Sequence, residues 1–251
     1  MINIRSQQEI QLMRQAGIIV AEIHELMKGL VRPGITTFEL DQAAERLIRA
    51  RGSIPAFKGY GGFPASICSS VNHQVVHGIP GLVQLLEGDI ISIDTGVQLN
   101  GYFADAAKTY PVGKISTQAQ QLIDITRQSF YEGIQFAREG QRLSDVSHAI
   151  QQCAEAAGFS VVRNYVGHGI GTAMHEDPQI PNYGQPGKGP RLKAGMVLAI
   201  EPMINEGAYQ VKVLSDGWTV VTSDGKMSAH YEHTIAITDG DPEILTSGDA
   251  G

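Results

Sequence analysis

The chain has 251 residues, of which 42% are apolar and 18% are charged, and its formal net charge is −7. This composition is typical of a globular protein with a sizeable core, and the lack of a basic cluster argues against nucleic acid or an anionic membrane as the main partner. We expect neither a membrane span nor a secretory leader, because no apolar run approaches the ~20 residues of a span and no signal-type apolar region is present near Met1.

The first predicted element is a helix near the N-terminus. Ser6 and Glu9 have the residue types and spacing of a capping box, in which each side chain accepts the other residue's backbone N–H. Apolar residues follow at Ile10, Met13 and Ile18, so the helix is expected to bury one face. The two cysteines, Cys68 and Cys153, form neither a disulfide framework nor a Cys-x-x-Cys site, and free thiols predict a cytoplasmic protein.

Two glycine-ended stretches repeat at a constant spacing. Residues 31–34 (Val-Arg-Pro-Gly) are matched by residues 137–140 (Ala-Arg-Glu-Gly), and each stretch precedes a predicted helix. The first helix stops at Gly52 and the second at Gly158, both in the position of a C′ cap. The offset is 106 residues at both of these glycine pairs. The predicted helices cover residues 39–48 and 146–157.

Two strand-like segments repeat as well. Residues 87–94 are matched by residues 194–201, at an offset of 107 that pairs Asp94 with Glu201. A nearly constant offset at four landmarks favours an internal duplication over two chance copies of a common helix–strand pattern. We therefore expect one domain of two related α/β halves, with Asp94 and Glu201 facing each other across a shared cleft. The predicted limits are residues 1–251 for the domain and roughly 1–113 and 114–251 for its halves.

Asn100 and Gly101 predict a tight hairpin turn. This pair suits the positive φ angles of a type I′ loop, and the resulting register pairs Gly96 with Asp105. Asp94 and Asp105 then lie on one face as diagonal neighbours, with Cβ atoms roughly 7–8 Å apart. Small residues on that face are expected to leave space for ions: Ser92, Gly96 and Ala107.

A second hairpin is predicted at Asp224 and Gly225. It would return the chain from residues 218–222 into one continuous strand. That strand is expected to carry His230, Glu232 and Thr234.

Five potential metal ligands lie in or beside apolar, strand-like runs. Such carboxylates are rarely buried unless a positive charge neutralises them, and a pair of divalent cations would balance this set. His168 lies between two glycines, where a metal can approach; alone it would be read as structural, but beside four carboxylates we interpret it as a ligand. The five residues are Asp94, Asp105, His168, Glu201 and Glu232.

Three further histidines are ambiguous. His77 and His175 lie in loops beside glycine or proline, and each could bind a metal, hydrogen-bond a substrate carbonyl or cap a turn. Their chemistry alone leaves these alternatives open. His233 alternates away from Glu232 and is expected to be structural or to support one of the ligands.

The order of these motifs resembles that of the type I methionine aminopeptidases, in their short bacterial form, over essentially the whole chain. The resemblance implies the pita-bread fold, an α/β (α+β) architecture of two pseudo-symmetric halves around a dinuclear metal cleft. It also implies removal of the N-terminal methionine from newly made polypeptides, with preference for a small second residue. The matching segments are residues 77–80, 93–105, 167–178, 201–203 and 231–234.

The resemblance assigns a role to each ligand. Asp94 would chelate one divalent ion, His168 and Glu201 would bind the other, and Asp105 and Glu232 would bridge the two. The ligand types suit Co, Mn, Fe, Zn or Ni without choosing among them.

The resemblance also implies catalytic and substrate-binding residues. Glu201 would move a proton to and from the attacking water, His175 would hydrogen-bond the scissile amide and the developing oxyanion, and His77 would contact the substrate backbone. The residues expected to line the substrate pocket are Tyr60, Phe63, Cys68, His77, Met174, His175 and Trp218.

Three residues depart from the family's common pattern: Ala104 replaces a usual glycine, Met174 a frequent aromatic residue, and Phe57 a position that can be cysteine. None of them removes a ligand. The expected partners are N-terminal Met peptides and nascent polypeptides, with a transient ribosome contact, and the protein is expected to be a monomer. Two alternatives remain: a proline-specific aminopeptidase of the same fold, and a non-catalytic peptide-binding protein.

Overall fold

The architecture follows from four amphipathic helices and a set of short strands. A computed structural model describes residues 1–248. The helices are α1 (Gln7–Leu30), α2 (Thr37–Ala50), α3 (Thr117–Ile134) and α4 (Leu143–Ala156). The strands before α3 are β1 (Ile54–Pro55), β2 (Ile67–Val71), β3 (Gln74–Val76), β4 (Ile90–Leu99) and β5 (Tyr102–Pro111). Those after α4 are β6 (Ser160–Val161), β7 (Gly167–Gly169), β8 (Glu176–Ile180), β9 (Val197–Ile200), β10 (Met203–Asn205), β11 (Val211–Val213), β12 (Val220–Thr222), β13 (Ser228–His230), β14 (His233–Ala236) and β15 (Glu243–Ile244). None of the described helices is both long and apolar enough to cross a membrane.

The predicted helix caps are confirmed, whereas α2 and α4 begin two and three residues earlier than predicted. At α1 the Ser6 hydroxyl accepts the Glu9 N–H at 3.3 Å, while the Glu9 carboxylate accepts the Ser6 N–H at 2.8 Å. These reciprocal bonds satisfy two N–H groups that the first helical turn leaves free. Gly52 and Gly158 follow α2 and α4 with φ angles of 69° and 83°, a region that glycine enters without steric cost.

The β4–β5 hairpin forms in the predicted register. Asn100 and Gly101 occupy the turn with φ angles of 51° and 82°, and Gly96 lies opposite Asp105. Both acidic residues of the hairpin therefore share one face, as the two-residue period of a strand requires. β4 also pairs with β1 and β2 on its other edge, so the strand that carries Asp94 is held on both sides.

The strand predicted to carry His230, Glu232 and Thr234 is interrupted, so that prediction is wrong. β13 ends at His230 and belongs to the sheet β13-β10-β6, whereas β14 begins at His233 in the sheet β15-β14-β9-β7-β8. Pro202 lies opposite the interruption and has no N–H to continue the ladder. The backbone N–H of Glu232 instead bonds the carbonyl of Ala107 at 2.8 Å. This break brings Glu232 against the β4–β5 hairpin.

The second predicted hairpin is also wrong in its pairing. A turn does form, with Gly225 at φ 75° and the Asp224 carboxylate accepting the Lys226 N–H at 3.1 Å. However, β12 pairs with β11 and β3, while β13 pairs with β10. Both edges of β12 are occupied by other strands, so the chain leaving the turn has no free edge to join.

Each helix pair covers a sheet with apolar side chains. Beneath α1 and α2, Ile91 and Ile93 of β4 are fully buried on the face opposite the acidic residues. Beneath α3 and α4, Leu198 and Ile200 of β9 occupy the corresponding place. Burial of each such side chain contributes about 1.5–3 kcal/mol, so the helices fix the sheets from behind and leave the opposite faces to form the cleft.

Equivalent contacts recur in the two parts of the chain. An isolated antiparallel bridge joins Thr36 to Gln84, and another joins Arg142 to Arg191, at offsets of 106 and 107 residues. Equivalent hydrogen bonds run from Gly34 N–H to Leu85 O at 2.8 Å and from Gly140 N–H to Leu192 O at 2.9 Å. We therefore propose that residues 1–113 and 114–251 are duplicated halves of one domain.

Candidate active site

The five candidate ligands converge on one cleft between the sheets. Each comes from a different segment, since Asp94 lies on β4, Asp105 on β5, His168 on β7, Glu201 just after β9 and Glu232 just before β14. All five line a single cavity of about 250 Å³. Asp94 and Glu232 are 138 residues apart in the sequence, yet they lie close enough to bind the same ions.

Short distances join the central members of this cluster. His168 Nε2 lies 3.5 Å from Asp105 Oδ2 and 3.7 Å from Glu201 Oε1. Asp105, His168 and Glu232 each offer one ligand atom within 4.8 Å of the other two. Such spacing is close enough for these side chains to share one cation.

Glu201 and Glu232 face each other across the interruption between the sheets. The pairs Ile200–His233 and Met203–His230 flank it in one continuous antiparallel register, which places Glu201 opposite Glu232. Two carboxylates directly opposed in a buried place repel each other unless a cation lies between them.

Burial dominates the electrostatics of the four carboxylates. It raises the pKa of Asp94, Glu201 and Glu232, and the neighbouring carboxylates raise each of these pKa values further. Burial also raises the pKa of Asp105 to about 6, although the Thr234 hydroxyl and His175 act in the opposite direction. Removed from water without a cation, these groups resist ionisation.

The donor set fits divalent metal ions. Oδ1 of Asp94 is buried and accepts no hydrogen bond from any described residue, which leaves a desolvated acceptor on a residue that lines the cavity. Burial lowers the pKa of His168, which keeps its imidazole neutral and able to bind a metal. Four carboxylates and one imidazole are ligands that Mn, Fe, Co, Ni or Zn accept.

Thr234 supports the cluster, a function that we did not predict. Its hydroxyl accepts the Asp105 N–H at 3.0 Å and lies 2.9 Å from Asp105 Oδ1. The bond fixes the orientation of the carboxylate. Successive strand residues point to opposite faces, so Thr234 lies on the same face as Glu232 while His233 lies on the other. This alternation in the sequence could have identified Thr234 as a neighbour of the ligands.

The residues predicted for the substrate pocket line the same cavity as the candidate ligands. Phe63 and Trp218 form one wall, with ring centroids 5.2 Å apart in an edge-to-face arrangement. Cys68 and Met174 are buried, and burial raises the pKa of the Cys68 thiol, so it contributes an uncharged surface. The cavity that holds the candidate ligands is also lined by every residue predicted for the substrate pocket: Tyr60, Phe63, Cys68, His77, Met174, His175 and Trp218. Further lining residues that we did not predict are Gly61, Val76, Tyr165, Val166 and Met203.

Gly96 does not leave space for ions, contrary to the prediction. A Cβ atom at Gly96 would lie 2.6 Å from Phe57 Cε1 and 3.2 Å from Met174 Cε. The room beside Gly96 is therefore filled by two apolar side chains of the pocket wall. Phe57 and Met174, two of the residues that depart from the common pattern, pack at the same point.

His77 and His175 both line the cleft. His175 is exposed to solvent, its ring centroid lies 4.2 Å from that of His168, and its Nδ1 is 2.7 Å from the Tyr60 hydroxyl. His77 has a φ angle of 60°, which is unusual for a residue with a side chain. Partial removal of water within the cleft lowers the pKa of both His77 and His175 to about 4, although His175 keeps an exposed surface. At pH 7 both rings are therefore neutral, and each can donate one N–H.

His233 has the structural position that we predicted. Its Nδ1 lies 2.7 Å from the Thr246 hydroxyl and its Nε2 lies 3.1 Å from the Tyr231 hydroxyl. Both ring nitrogens are thus occupied away from the cleft.

Comparison with known families identifies the kind of site. The model of metallopeptidase family M24 matches residues 11–239. A methionine aminopeptidase from Clostridium perfringens is 60% identical over 246 residues, covering 98% of this chain and 99% of that protein.

Solved structures agree with this relationship. A methionine aminopeptidase from Thermotoga maritima superposes with a TM-score of 0.97 at 46% identity, covering 98% of this chain and 100% of that one. A prolidase from Pyrococcus furiosus superposes with a TM-score of 0.80 at 22% identity, covering 98% of this chain and 66% of that one. The prolidase therefore shares the fold alone.

Proposed function

The chain belongs to metallopeptidase family M24 and, within it, to the methionine aminopeptidases, and on this premise we propose that it hydrolyses the first peptide bond of polypeptides that begin with methionine. One observation carries the proposal: an apolar pocket formed by Phe63, Cys68, Met174 and Trp218 opens into the same cavity as the five candidate ligands. A side chain held in that pocket would present its carbonyl group to the cluster.

We propose that two divalent cations occupy the cluster. Asp94 would hold one ion, His168 and Glu201 the other, and Asp105 and Glu232 would bridge them. When bound, the cations supply Lewis acidity, which acidifies a water molecule and polarises the scissile carbonyl. The unpartnered Asp94 Oδ1 and the facing pair Glu201 and Glu232 support this number, because one cation would leave much negative charge unbalanced.

Glu201 is the proposed proton carrier. Its side chain is 13% exposed and lies beside His168, at the cleft surface where water would attack. It would accept a proton from the attacking water and deliver it to the leaving amine. Without cations, burial and the neighbouring carboxylates of Asp94 and Asp105 raise the pKa of Glu201.

The two histidines of the cleft would bind the reacting amide. His175 would donate its Nε2–H to the developing oxyanion, since its Nδ1 is engaged with the Tyr60 hydroxyl at 2.7 Å. His77 would donate to the substrate backbone next to the scissile bond. Its ring packs edge-on against Tyr165 and Trp218, at centroid distances of 5.6 Å and 6.4 Å. This packing would narrow the cleft and favour a small second residue.

The setting of the reaction belongs to the same proposal. We propose that the protein acts in the cytoplasm, as a monomer, on nascent polypeptides and with transient ribosome contact. The described cysteines, Cys68 and Cys153, are both free thiols, in keeping with a reducing compartment.

A peptide panel on one metal-loaded preparation tests the function. The protein is purified anaerobically, its metal content is measured, and kcat/KM is determined for Met-Ala, Leu-Ala, Ala-Pro and Met-Lys peptides. We expect Met-Ala to be cleaved fastest. A faster Ala-Pro peptide would establish the proline-specific alternative, and no cleavage with metals bound would establish the binding-protein alternative.

A further inference from the structure

We infer that Arg5 and Glu176 are positioning residues that fix the loop carrying His175 and Met174. The inference rests on the proposed role of His175. It concerns two residues outside the cleft, since neither Arg5 nor Glu176 is part of the cavity lining. They would act on catalysis only through the loop, residues 171–175.

A nearly buried ion pair joins the N-terminal segment to the end of this loop. Arg5 Nη2 lies 2.6 Å from both carboxylate oxygens of Glu176, and each side chain is only 9% exposed. Asn3 adds a hydrogen bond to Glu176 Oε2 at 2.7 Å. A charge pair so far removed from water is strongly destabilised when one partner is lost, because the remaining charge stays buried.

Glu176 passes this restraint on to the loop backbone. Its Oε1 accepts the N–H groups of Thr172 at 2.9 Å and of Ala173 at 3.1 Å. Burial alone would raise the pKa of Glu176, but the hydrogen bonds from Asn3, Ala173 and Arg5 together hold the pKa below its usual range. The carboxylate is therefore ionised and holds the exposed residues Thr172 and Ala173 in place, together with the hydrogen bond from the Gly171 N–H to the Ala173 carbonyl at 3.2 Å.

Arg5 also contacts the first residue of the loop, Gly171. A Cβ atom at Gly171 would collide with the Arg5 guanidinium, so the two groups are in direct contact. The carbonyl of Gly171 accepts the N–H of Phe103 on β5 at 2.8 Å. The N–H of Arg5 bonds the carbonyl of Gly195 at 2.7 Å. The loop is thus held between β5 on one side and the N-terminal segment on the other.

The restrained loop supplies two side chains to the cleft. Met174 is buried against the pocket wall, and His175 is exposed, with contacts to Tyr60 and His168. An exposed imidazole held by so few contacts depends on its backbone for its position. A displacement of about 1 Å in a catalytic group can cost on the order of 10²-fold in rate.

The test combines variants of the ion pair with His175→Ala. We expect Arg5→Met to lower kcat for a Met-Ala peptide by about tenfold to 10²-fold with metal content unchanged. Arg5→Lys keeps the charge and should recover most of the loss. Arg51→Met is the matched control and should leave kcat unchanged, because it removes an exposed ion pair (2.6 Å) between Arg51, just after α2, and Glu22 of α1.

Two further variants keep the test decisive. Glu176→Gln retains one acceptor oxygen for the loop N–H groups but removes the ion pair with Arg5. It therefore tests the same contact if the Arg5→Met protein folds poorly. In the His175→Ala background, Arg5→Met should lower kcat by no more than about twofold, because His175, the loop residue proposed to bind the reacting amide, is already missing.

Two results would overturn the inference. One is a kcat within about twofold of wild type for both Arg5→Met and Glu176→Gln; the other is an equal loss from Arg5→Met with and without His175. An unchanged kcat for His175→Ala alone would instead refute the proposed role of His175, and the inference with it.

Discussion

The hydroxyl of Tyr60 lies 2.7 Å from Nδ1 of His175, and the two ring centroids are 5.2 Å apart. When the hydroxyl donates to Nδ1, the single proton of the neutral imidazole resides on Nε2. The pair therefore selects the tautomer that can donate a hydrogen bond to a substrate oxygen.

Tyr60→Phe should lower kcat by about two- to tenfold, the equivalent of one lost hydrogen bond of 0.5–1.5 kcal/mol. Tyr165→Phe is the matched control, because it removes a hydroxyl from the same cavity that bonds no described residue. Steady-state kinetics with a Met-Ala peptide compare the two. Equal effects of both substitutions would contradict tautomer selection by Tyr60.

Asp105→Ala should abolish activity and metal binding. The carboxylate would bridge both ions, so its removal leaves their charge uncompensated. Thr234→Val, which frees the Asp105 carboxylate from its 2.9 Å hydrogen bond, should weaken metal affinity by about 10–100-fold. Metal titration followed by activity measures both effects. Chelation should inactivate the wild type reversibly. Full activity in exhaustively metal-free protein would contradict the proposed metal site.

His175→Ala should lower kcat by about 10²–10³-fold with the metals still bound, as expected for one oxyanion donor. Metal analysis of the purified variant accompanies the kinetics. A variant that loses its metal would identify His175 as a ligand, and a metal-loaded variant with unchanged kcat would exclude it from the transition state.

Trp218→Ala should erode the preference for methionine. Trp218 and Phe63 form the aromatic wall of the pocket, and the sulfur of methionine gains from aromatic neighbours by about 0.3–1.5 kcal/mol. The ratio of kcat/KM for Met-Ala to that for Leu-Ala should fall, while metal content stays constant. An unchanged ratio would place the methionine side chain elsewhere.

Stabilisation by metal should increase with pH. Burial raises the carboxylate pKa values in the chelated protein, that of Asp105 to about 6, so the folded state binds more protons than the unfolded chain above pH ~4. The contribution of these carboxylates to the stability of the chelated protein is therefore lost as the pH rises from about 4 through their raised pKa values. Bound cations neutralise the carboxylate charges, so the metal-loaded protein does not lose this stability as the pH rises.

Thermal unfolding from pH 5 to pH 8, with and without chelator, measures this difference. Buried histidines such as His24, whose pKa burial lowers to about 3, act in the opposite direction but contribute equally to both preparations. Glu232→Gln removes one buried carboxylate and should stabilise the chelated protein at pH 8. A difference in Tm that is independent of pH would contradict the prediction.

Local chemistry made several features predictable from the sequence alone. The capping box of Ser6 and Glu9 needs only four consecutive residues. The turn at Asn100 and Gly101 fixes its own φ angles and thereby the register of β4 and β5. Because a strand alternates faces, that register determines that Asp94 and Asp105 lie on one face before any tertiary contact is known.

Features that depend on which distant segments meet could be decided only by the tertiary structure. Asp224 and Gly225 make the expected turn, yet β12 is paired on both edges by strands from elsewhere in the chain. The space beside Gly96 goes to Phe57 rather than to ions, because a separate segment folds against that face. Arg5 and Glu176 are 171 residues apart and meet because the N-terminal segment packs beside the loop of His175. Such pairings arise from the packing of whole sheets and helices, which residue spacing along one strand or helix does not encode.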